Sequence, residues 1–571
     1  MHPSLTVSAG LALAALTAWT PAQSVGGGLY AQFQHLGENA NAQMGYSVAR
    51  AGDTNADGVE DYIVGAIGVE VGGLANVGAA YLYSGADGSL LRTFPGVAEN
   101  GNFGFCVDAA SDVNNDGYDD VIIGAPYVSP PGSANEGRAY VYSGFDGKKL
   151  YRFDGRSSED RLGFAVAGAG DVNGDGFDDV LVTSLWCSES GFNQAGCVDL
   201  YSGANGSILR QWKGGQPNNY FGYSIAGPGD TNADGTPDVM IGVPTASPNG
   251  QIQAGRVFVY SGSDGSRLHR IDGAAPFDWF GFSLSAAGDV NFDGYADFYV
   301  GAPLTDANGK VDAGSTYLYS GKNANLLLQQ DGAASGDAFG TAVNGGMDID
   351  NDSIPDLITG ATGADHNGQN SVGTAIAASG LDGSIIYQYW GANENDFLGH
   401  AVALLPDLNQ NPMGEMLIGA PLLDVGPFIE LGWAAVVGYS PYLFGDGQNF
   451  SAAAGGVVTF SLQFPEEFAQ ANYRLLGSAT GMGPTNLGGI DIPLTAGDFL
   501  WDELIAPNPP SYFKNSIGKL NANAEAQCLL TLPPGAATSY VGNSFYFAAA
   551  LYTPPAEGLV SSAAVVVTIV P

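Results

Sequence analysis

One short acidic stretch returns six times along the chain with its oxygen-bearing residues in fixed places. The first copy runs Asp53-Thr54-Asn55-Ala56-Asp57-Gly58-Val59-Glu60-Asp61. Asp53, Asn55, Asp57 and Asp61, at positions 1, 3, 5 and 9, carry side-chain oxygens, and position 7, Val59, adds a main-chain carbonyl. A donor set made only of oxygen suits a hard cation that takes about six to eight such ligands. Glycine at position 6 lets the chain turn back on itself. The same places hold Asp112, Asn114, Asp116, Tyr118 and Asp120 in the second copy, then Asp171, Asn173, Asp175, Phe177 and Asp179 in the third. Asp230, Asn232, Asp234, Thr236 and Asp238 follow, then Asp289, Asn291, Asp293, Tyr295 and Asp297. The sixth copy, Asp348, Asp350, Asp352, Ile354 and Asp356, has Ser353 where the others have glycine.

An EF-hand needs a glutamate at position 12 and flanking helices. Position 12 here is Val64, Ile123, Val182, Ile241, Val300 or Thr359, inside strand-like runs, so the loops are expected to be β-hairpin calcium sites. The preference of Asp and Asn for turns accounts for one such loop but not for six with the same ligand spacing. Calcium is favoured over magnesium because a flexible loop that also uses a carbonyl suits the larger ion. Five to six structural Ca2+ ions are expected, since clustered carboxylates repel one another without metal. A seventh copy, with Asp407, Asn409, Asn411, Pro412, Met413 and Glu415, has lost charge and glycine together and is expected to bind weakly or not at all.

The elements that carry these loops follow from a strict period. Met44-Gly45 returns as Phe103-Gly104, Leu162-Gly163, Phe221-Gly222, Phe280-Gly281, Phe339-Gly340 and Leu398-Gly399, a step of 59 residues every time. Gly65-Ala66, Gly124-Ala125-Pro126, Gly242-Val243-Pro244, Gly301-Ala302-Pro303, Gly360-Ala361 and Gly419-Ala420-Pro421 keep the same step, with Thr183-Ser184 standing in the third unit. Each unit reads as four strand-like runs separated by turns, which is one propeller blade. A β-helix rung would be much shorter. Seven units predict an all-β fold, a seven-bladed β-propeller whose closure removes most strand edges.

Phe-Gly, the Asp-rich loop and Gly-Ala-Pro in that order resemble the FG-GAP repeats of integrin alpha chains, over about residues 29 to 441. In that family the repeat is offset from the blade, which implies that Leu29 to Leu36 completes the last blade beside Trp433 to Tyr439. The resemblance implies an extracellular recognition or adhesion-like scaffold, not an enzyme. No inserted ligand-binding domain of the kind some integrin alpha chains carry interrupts these units.

Composition bounds the partners. With 58 acidic and 18 basic residues, a formal charge of −40 repels nucleic acid and anionic membrane surfaces. The 85 glycines fit short strands and tight turns. Residues 1 to 22 have an apolar centre followed by Thr20-Pro21-Ala22 and read as a signal peptide, so a secreted or cell-surface protein is expected. No later stretch reaches the about 20 apolar residues of a membrane span. Cys187 and Cys197 flank a short loop that a disulfide would close, while Cys106 and Cys528 read as buried thiols. After a connection at 441 to 450, residues 451 to 571 hold alternating strand runs, expected to form a small C-terminal β-sandwich.

Strand alternation puts the calcium loops on one face and the second-to-third and fourth-to-first loops on the other. In units three to five the latter carry Trp186, Phe192, Tyr220, Phe277 and Trp279, the kind of side chain a protein or glycan site uses. Tyr220 and Trp279, each directly before a Phe-Gly pair, also suit packing between blades. The five histidines are scattered and form no Ser-His-Asp pattern. An alternative is a secreted enzyme that degrades a polysaccharide or other polymer at the propeller mouth, which requires acids or histidines clustered on that second face.

Overall fold

A computed structural model describes residues 28–570, except 189–190, 409–412, 427–428, 441–442, 446–448, 452–455, 464–469, 479–484, 488–489, 493–512, 516, 522–524, 533–543, 554–556 and 562–564. The expected signal peptide, 1–22, lies outside the described residues. Two compact units are present, one containing Ala31–Gly438 and the other Tyr439–Pro571.

The first unit is a seven-bladed propeller of four-stranded antiparallel sheets. In blade 1, Met44–Gly52, Asp61–Ala66, Ala79–Tyr83 and Leu90–Pro95 pair in sequence order, and the next five sheets repeat that order. The seventh sheet holds Ala401–Leu405, Glu415–Ala420 and Trp433–Ser440, and its outer strand is Gly28–Leu36 from the start of the chain. Closure by the N-terminal run is therefore as the offset repeat implied. His35 of that strand stacks on Tyr83 of blade 1 at 3.6 Å between ring centroids and bonds the Tyr62 hydroxyl at 2.8 Å. Burial there drives its pKa down to about 4, so it is a neutral core group.

Burial follows strand position. The second strand is buried at every residue, as in Asp61–Ala66 and Asp120–Ala125, because neighbouring blades cover both its faces. It therefore reads as a continuous apolar run instead of an alternating one. The fourth strand, at the rim, keeps only its fifth residue buried in blades 1 and 2, Phe94 and Phe153.

The two glycine markers mark where blades touch. A Cβ on Gly65 would lie 2.1 Å from the carbonyl oxygen of Gly104, one on Gly124 would lie 2.0 Å from that of Gly163, and one on Gly360 would lie 1.9 Å from that of Gly399. Gly419 of blade 7 meets the carbonyl of Gly45 in the same way, at 2.1 Å, so one contact type recurs across the closing seam. Blade 3 breaks the pattern with Thr183 and Ser184, whose hydroxyls are buried without a hydrogen-bond partner. The adjoining loop is joined by a disulfide between Cys187 and Cys197, with Cα atoms 5.6 Å apart.

In the second unit, Leu443–Gly445, Gly456–Gln463, Glu525–Leu532 and Phe513–Lys514 form one sheet. Asn449–Ser451, Val565–Val570, Ser544–Thr553, Asn472–Ser478 and Ile517–Lys519 run side by side in a second, with Glu557–Ser561 on Ser544–Thr553. Phe460 of the first sheet meets Phe547 of the second at 4.8 Å, the kind of contact that fills a sandwich core. Burial pushes the Cys106 and Cys528 thiols up to about 12, which leaves both unreactive.

An unsatisfied buried hydroxyl costs about 1 to 3 kcal/mol. Ser184→Ala, which restores the residue found at this place in blades 1, 2, 5, 6 and 7, should raise stability by about 1 kcal/mol. Denaturant unfolding of the purified protein checks it, and a lower midpoint would show that the hydroxyl has a partner in solution.

Candidate metal loops and the opposite face

Each acidic loop starts at a bulge, where the register between first and second strands slips, as between Arg50 and Gly52. The residue at the slip is left-handed in loop after loop: Gly52, Ser111, Gly170, Gly229 and Gly288. From there the first aspartate folds over its own loop. Asp53 accepts the amides of Asp57 at 3.2 Å and Gly58 at 3.0 Å, Asn55 accepts that of Asp57 at 2.8 Å, and Asp57 accepts that of Val59 at 2.9 Å. Gly117, Gly176 and Gly235 repeat the position 6 bond to the first aspartate at 2.8 to 2.9 Å. Position 4 is left-handed as well, whether it holds Ala56, Asn115, Gly174, Ala233, Phe292 or Asn351.

The ninth residue ties each loop to the rest of its blade. Asp61 is fully buried and takes the Thr54 amide at 3.0 Å on one oxygen and the Gly85 amide at 3.1 Å on the other. Asp120, Asp179, Asp238, Asp297 and Asp356 bond Gly144, Gly203, Gly262, Gly321 and Gly380 in the same way, each across 24 residues. These glycines sit in the hairpin between third and fourth strands, so that hairpin and the acidic loop share a face. The third-position asparagine amide also leans on this carboxylate, as Asn55 on Asp61 at 3.3 Å, a bond that a cation sharing the same oxygen would replace.

Without a cation this arrangement is costly. Burial, with the neighbouring aspartates adding and the amide bonds opposing, pushes Asp61, Asp179 and Asp297 up to about 6 and Asp120 and Asp356 up to about 7. The sixth loop shows the convergence most directly. Asp348, Asp350 and Asp356 each offer a carboxylate oxygen within 4.8 Å of the others. Ser353 adopts the left-handed turn at φ 73° and still donates its amide to Asp348 at 2.8 Å, so the loop keeps its shape without glycine. An all-oxygen donor set of this kind fits a calcium ion. Of the seventh copy, Asn409, Asn411 and Pro412 lie outside the described residues, but Glu415 accepts the Leu408 amide at 2.9 Å, the role of the ninth residue elsewhere.

The remaining loops gather on the other face. Phe192 and Phe277 are exposed, at 43% and 53%. Trp186, Tyr220 and Trp279 are half-buried. Trp279 stacks on Phe282 at 5.9 Å, and Arg161 lays its guanidinium 3.3 Å from the centre of the Trp186 ring and 5.2 Å from that of Tyr127. A feature beyond those residues appears at the start of the first strands. Tyr46, Phe105, Phe164, Tyr223 and Phe282, each next after a marker glycine, touch ring to ring from blade to blade at 5.0 to 5.3 Å. His400 joins Tyr46 across the closing seam at 4.8 Å, while Thr341 occupies that place in blade 6. The signal was present in the sequence as a fixed offset from Phe-Gly.

The FG-GAP repeat family matches residues 104–142 and 280–319. Integrin alpha-V of Gallus gallus is 33% identical over 222 residues, 36% of this chain and 20% of the relative. Integrin alpha-5 of Xenopus laevis is 33% identical over 219 residues, again 36% and 20%, and integrin alpha-7 of Mus musculus is 35% identical over 150 residues, 25% and 12%. The chain thus covers about a fifth or less of the length of these relatives, and its resemblance to integrin alpha chains lies in FG-GAP repeats of the propeller kind.

Two outcomes follow from the loops. In metal-free buffer, the unfolded chain releases the ninth-position protons near the ordinary carboxylate pKa while the native chain holds them, so melting temperature should fall as pH rises from about 4 to about 7. Excess calcium favours the ionised form and should reverse that slope; parallel profiles with and without calcium would contradict it. Ser353→Gly should add about 0.5 to 1 kcal/mol by relieving a left-handed L-residue, read from denaturant midpoints.

Proposed function

From an integrin-alpha-like propeller with FG-GAP repeats, we propose that this protein is a secreted or cell-surface recognition scaffold of the cell-adhesion kind. Calcium stiffens one face, and the opposite face binds an extracellular protein or glycan. The belt of rings from Tyr46 to Phe282, together with the exposed Phe192 and Phe277, is the observation that carries this reading. Aromatic side chains contribute large contact area with few torsions to freeze, and they dominate binding energy where they gather. The charge of −40 turns polyanions away, and no helix among the described residues is long and apolar enough to cross a membrane.

The acids of the second face are used in turns. Asp396 accepts the Asn393 amide at 2.9 Å, and Asp424 accepts that of Glu430 at 2.7 Å. Asp278 and Asp337 repeat the first bond in blades 5 and 6. Burial and the nearby Asp424 push Asp396 up to about 7. With Asp160 accepting the Ser157 amide at 2.8 Å in the same way, a turn-capping role repeated in four blades gives no reason to single out a catalytic pair, which favours the binding scaffold over the polymer-degrading enzyme.

Arg161 covers one face of Trp186, so replacing that tryptophan disturbs a cation–π contact as well as any ligand. Phe192→Ala with Phe277→Ala is the cleaner pair. Against immobilised extracellular-matrix proteins and a glycan array, the double variant should lose about ten-fold or more in affinity for whatever the native protein retains, with melting temperature unchanged. Full retention by this variant, with loss on altering the 439–571 unit instead, would move the site off the propeller.

A further inference from the structure

The acidic loops of blades 1, 2 and 3 are joined from one to the next by a carboxylate, a bond that the eighth residues of the fourth, fifth and sixth loops cannot make. Asp119, the eighth residue of the second loop, reaches back to blade 1 and accepts the amide of Asp53 at 2.8 Å, across 66 residues. Asp178, the eighth residue of the third loop, does the same to the amide of Asp112 at 3.2 Å, again across 66 residues. Each donating amide belongs to the first ligand residue of its loop. Each accepting carboxylate belongs to the residue between the seventh and ninth positions of its own loop. The main chain adds a longer bond in return, the Asp119 amide donating to the Asp53 carbonyl and the Asp178 amide to that of Asp112, both at 3.4 Å.

The eighth residue changes after blade 3. Pro237 in the fourth loop and Pro355 in the sixth have neither an amide hydrogen nor a side-chain acceptor, and Ala296 in the fifth keeps only the main-chain bond, to the Asp230 carbonyl at 2.9 Å. The run of loops is therefore cut between blades 3 and 4 and again between blades 5 and 6.

We propose that Asp119 and Asp178 are positioning residues that couple calcium binding in the first three loops, so that filling one loop raises the affinity of the loop in the preceding blade, while the loops after Pro237 fill independently of these. A cation held by Tyr118 and Asp120 fixes the backbone on both sides of Asp119, and the fixed carboxylate then holds the Asp53 amide and the turn that follows. By linkage the effect runs equally in both directions. The inference rests on the calcium reading of the loops given above.

Terbium, a luminescent stand-in for calcium that tyrosine sensitises at short range, separates the loops. In a Tyr295→Phe background Tyr118 reports the second loop, and in a Tyr118→Phe background Tyr295 reports the fifth; both changes keep the ligating carbonyl. Asp178→Ala should weaken terbium binding at the second loop about ten-fold, the factor expected of one hydrogen bond to a charged acceptor, and leave the fifth loop as it was. Asp178→Asn, which keeps an acceptor oxygen, should restore most of that loss. Asp175→Ala in the third loop should weaken the second loop by a similar factor, with no added effect once Asp178 is alanine. An unchanged second loop in Asp178→Ala, an equal loss at the fifth loop, or an asparagine variant as weak as alanine would each overturn the coupling. No saturable tyrosine-sensitised signal at either loop of the native protein would instead overturn the calcium reading itself.

Discussion

Neighbouring blades approach until backbone meets backbone, and that spacing is the condition on which the ring depends. At Gly65 and Gly104, and at each equivalent pair round to Gly419 and Gly45, no side-chain carbon fits between the two strands. This is why both sequence markers contain glycine and why they share one period. The phenylalanine before the second glycine and the small residue after the first are then held at fixed places in the crevice between blades, as Phe103 is in the core beside Ala80 and Ala125. Blade 3 lacks the glycine and instead places a threonine methyl 2.9 Å from where a Cβ on Gly222 would stand.

That tight seam also divides labour between the two faces. On one, buried ninth-position aspartates fasten each acidic loop to the hairpin beside it, so a cation held there would act on the outer two strands as well as the inner two. On the other, loops of different composition are free to vary, because the strands beneath them are already fixed. Disulfide, exposed phenylalanines and the ring belt all occur there. Anchored loops and varied loops thus occupy different ends of the same strands.

Much of this was legible from residue type and spacing alone. The 59-residue step gave the blade count, and the repeat offset implied by the FG-GAP resemblance pointed to Leu29 to Leu36 as the closing strand. What escaped has a common cause: it depends on contacts between residues far apart in sequence or on backbone angles that residue type does not announce. Ala56 and Phe292 are left-handed without being glycine or asparagine. Asp119 looks like one more surface acid until blade 1 is folded against it. Tyr46 and Phe105 are aromatic residues beside an apolar run, as core residues are, so the ring belt and the core could not be told apart by residue type. In the second unit, Asn449–Ser451 pairs in parallel with Val565–Val570, a partnership that no local turn signals.

The outer strand of the seventh blade comes from the start of the chain, and this makes the ring modular at the level of the gene. A break between a fourth strand and the following first strand falls between blades, whereas this chain is broken inside one, so the seam is sewn by ordinary sheet pairing. Insertion or loss of one 59-residue unit by unequal recombination anywhere between the ends leaves that seam untouched. A circularly permuted chain, with new ends inside any other blade, would be held shut by the same kind of hydrogen bonds. Blade number is then an outcome that selection can revisit one duplication at a time, with the glycine contacts deciding which ring sizes close.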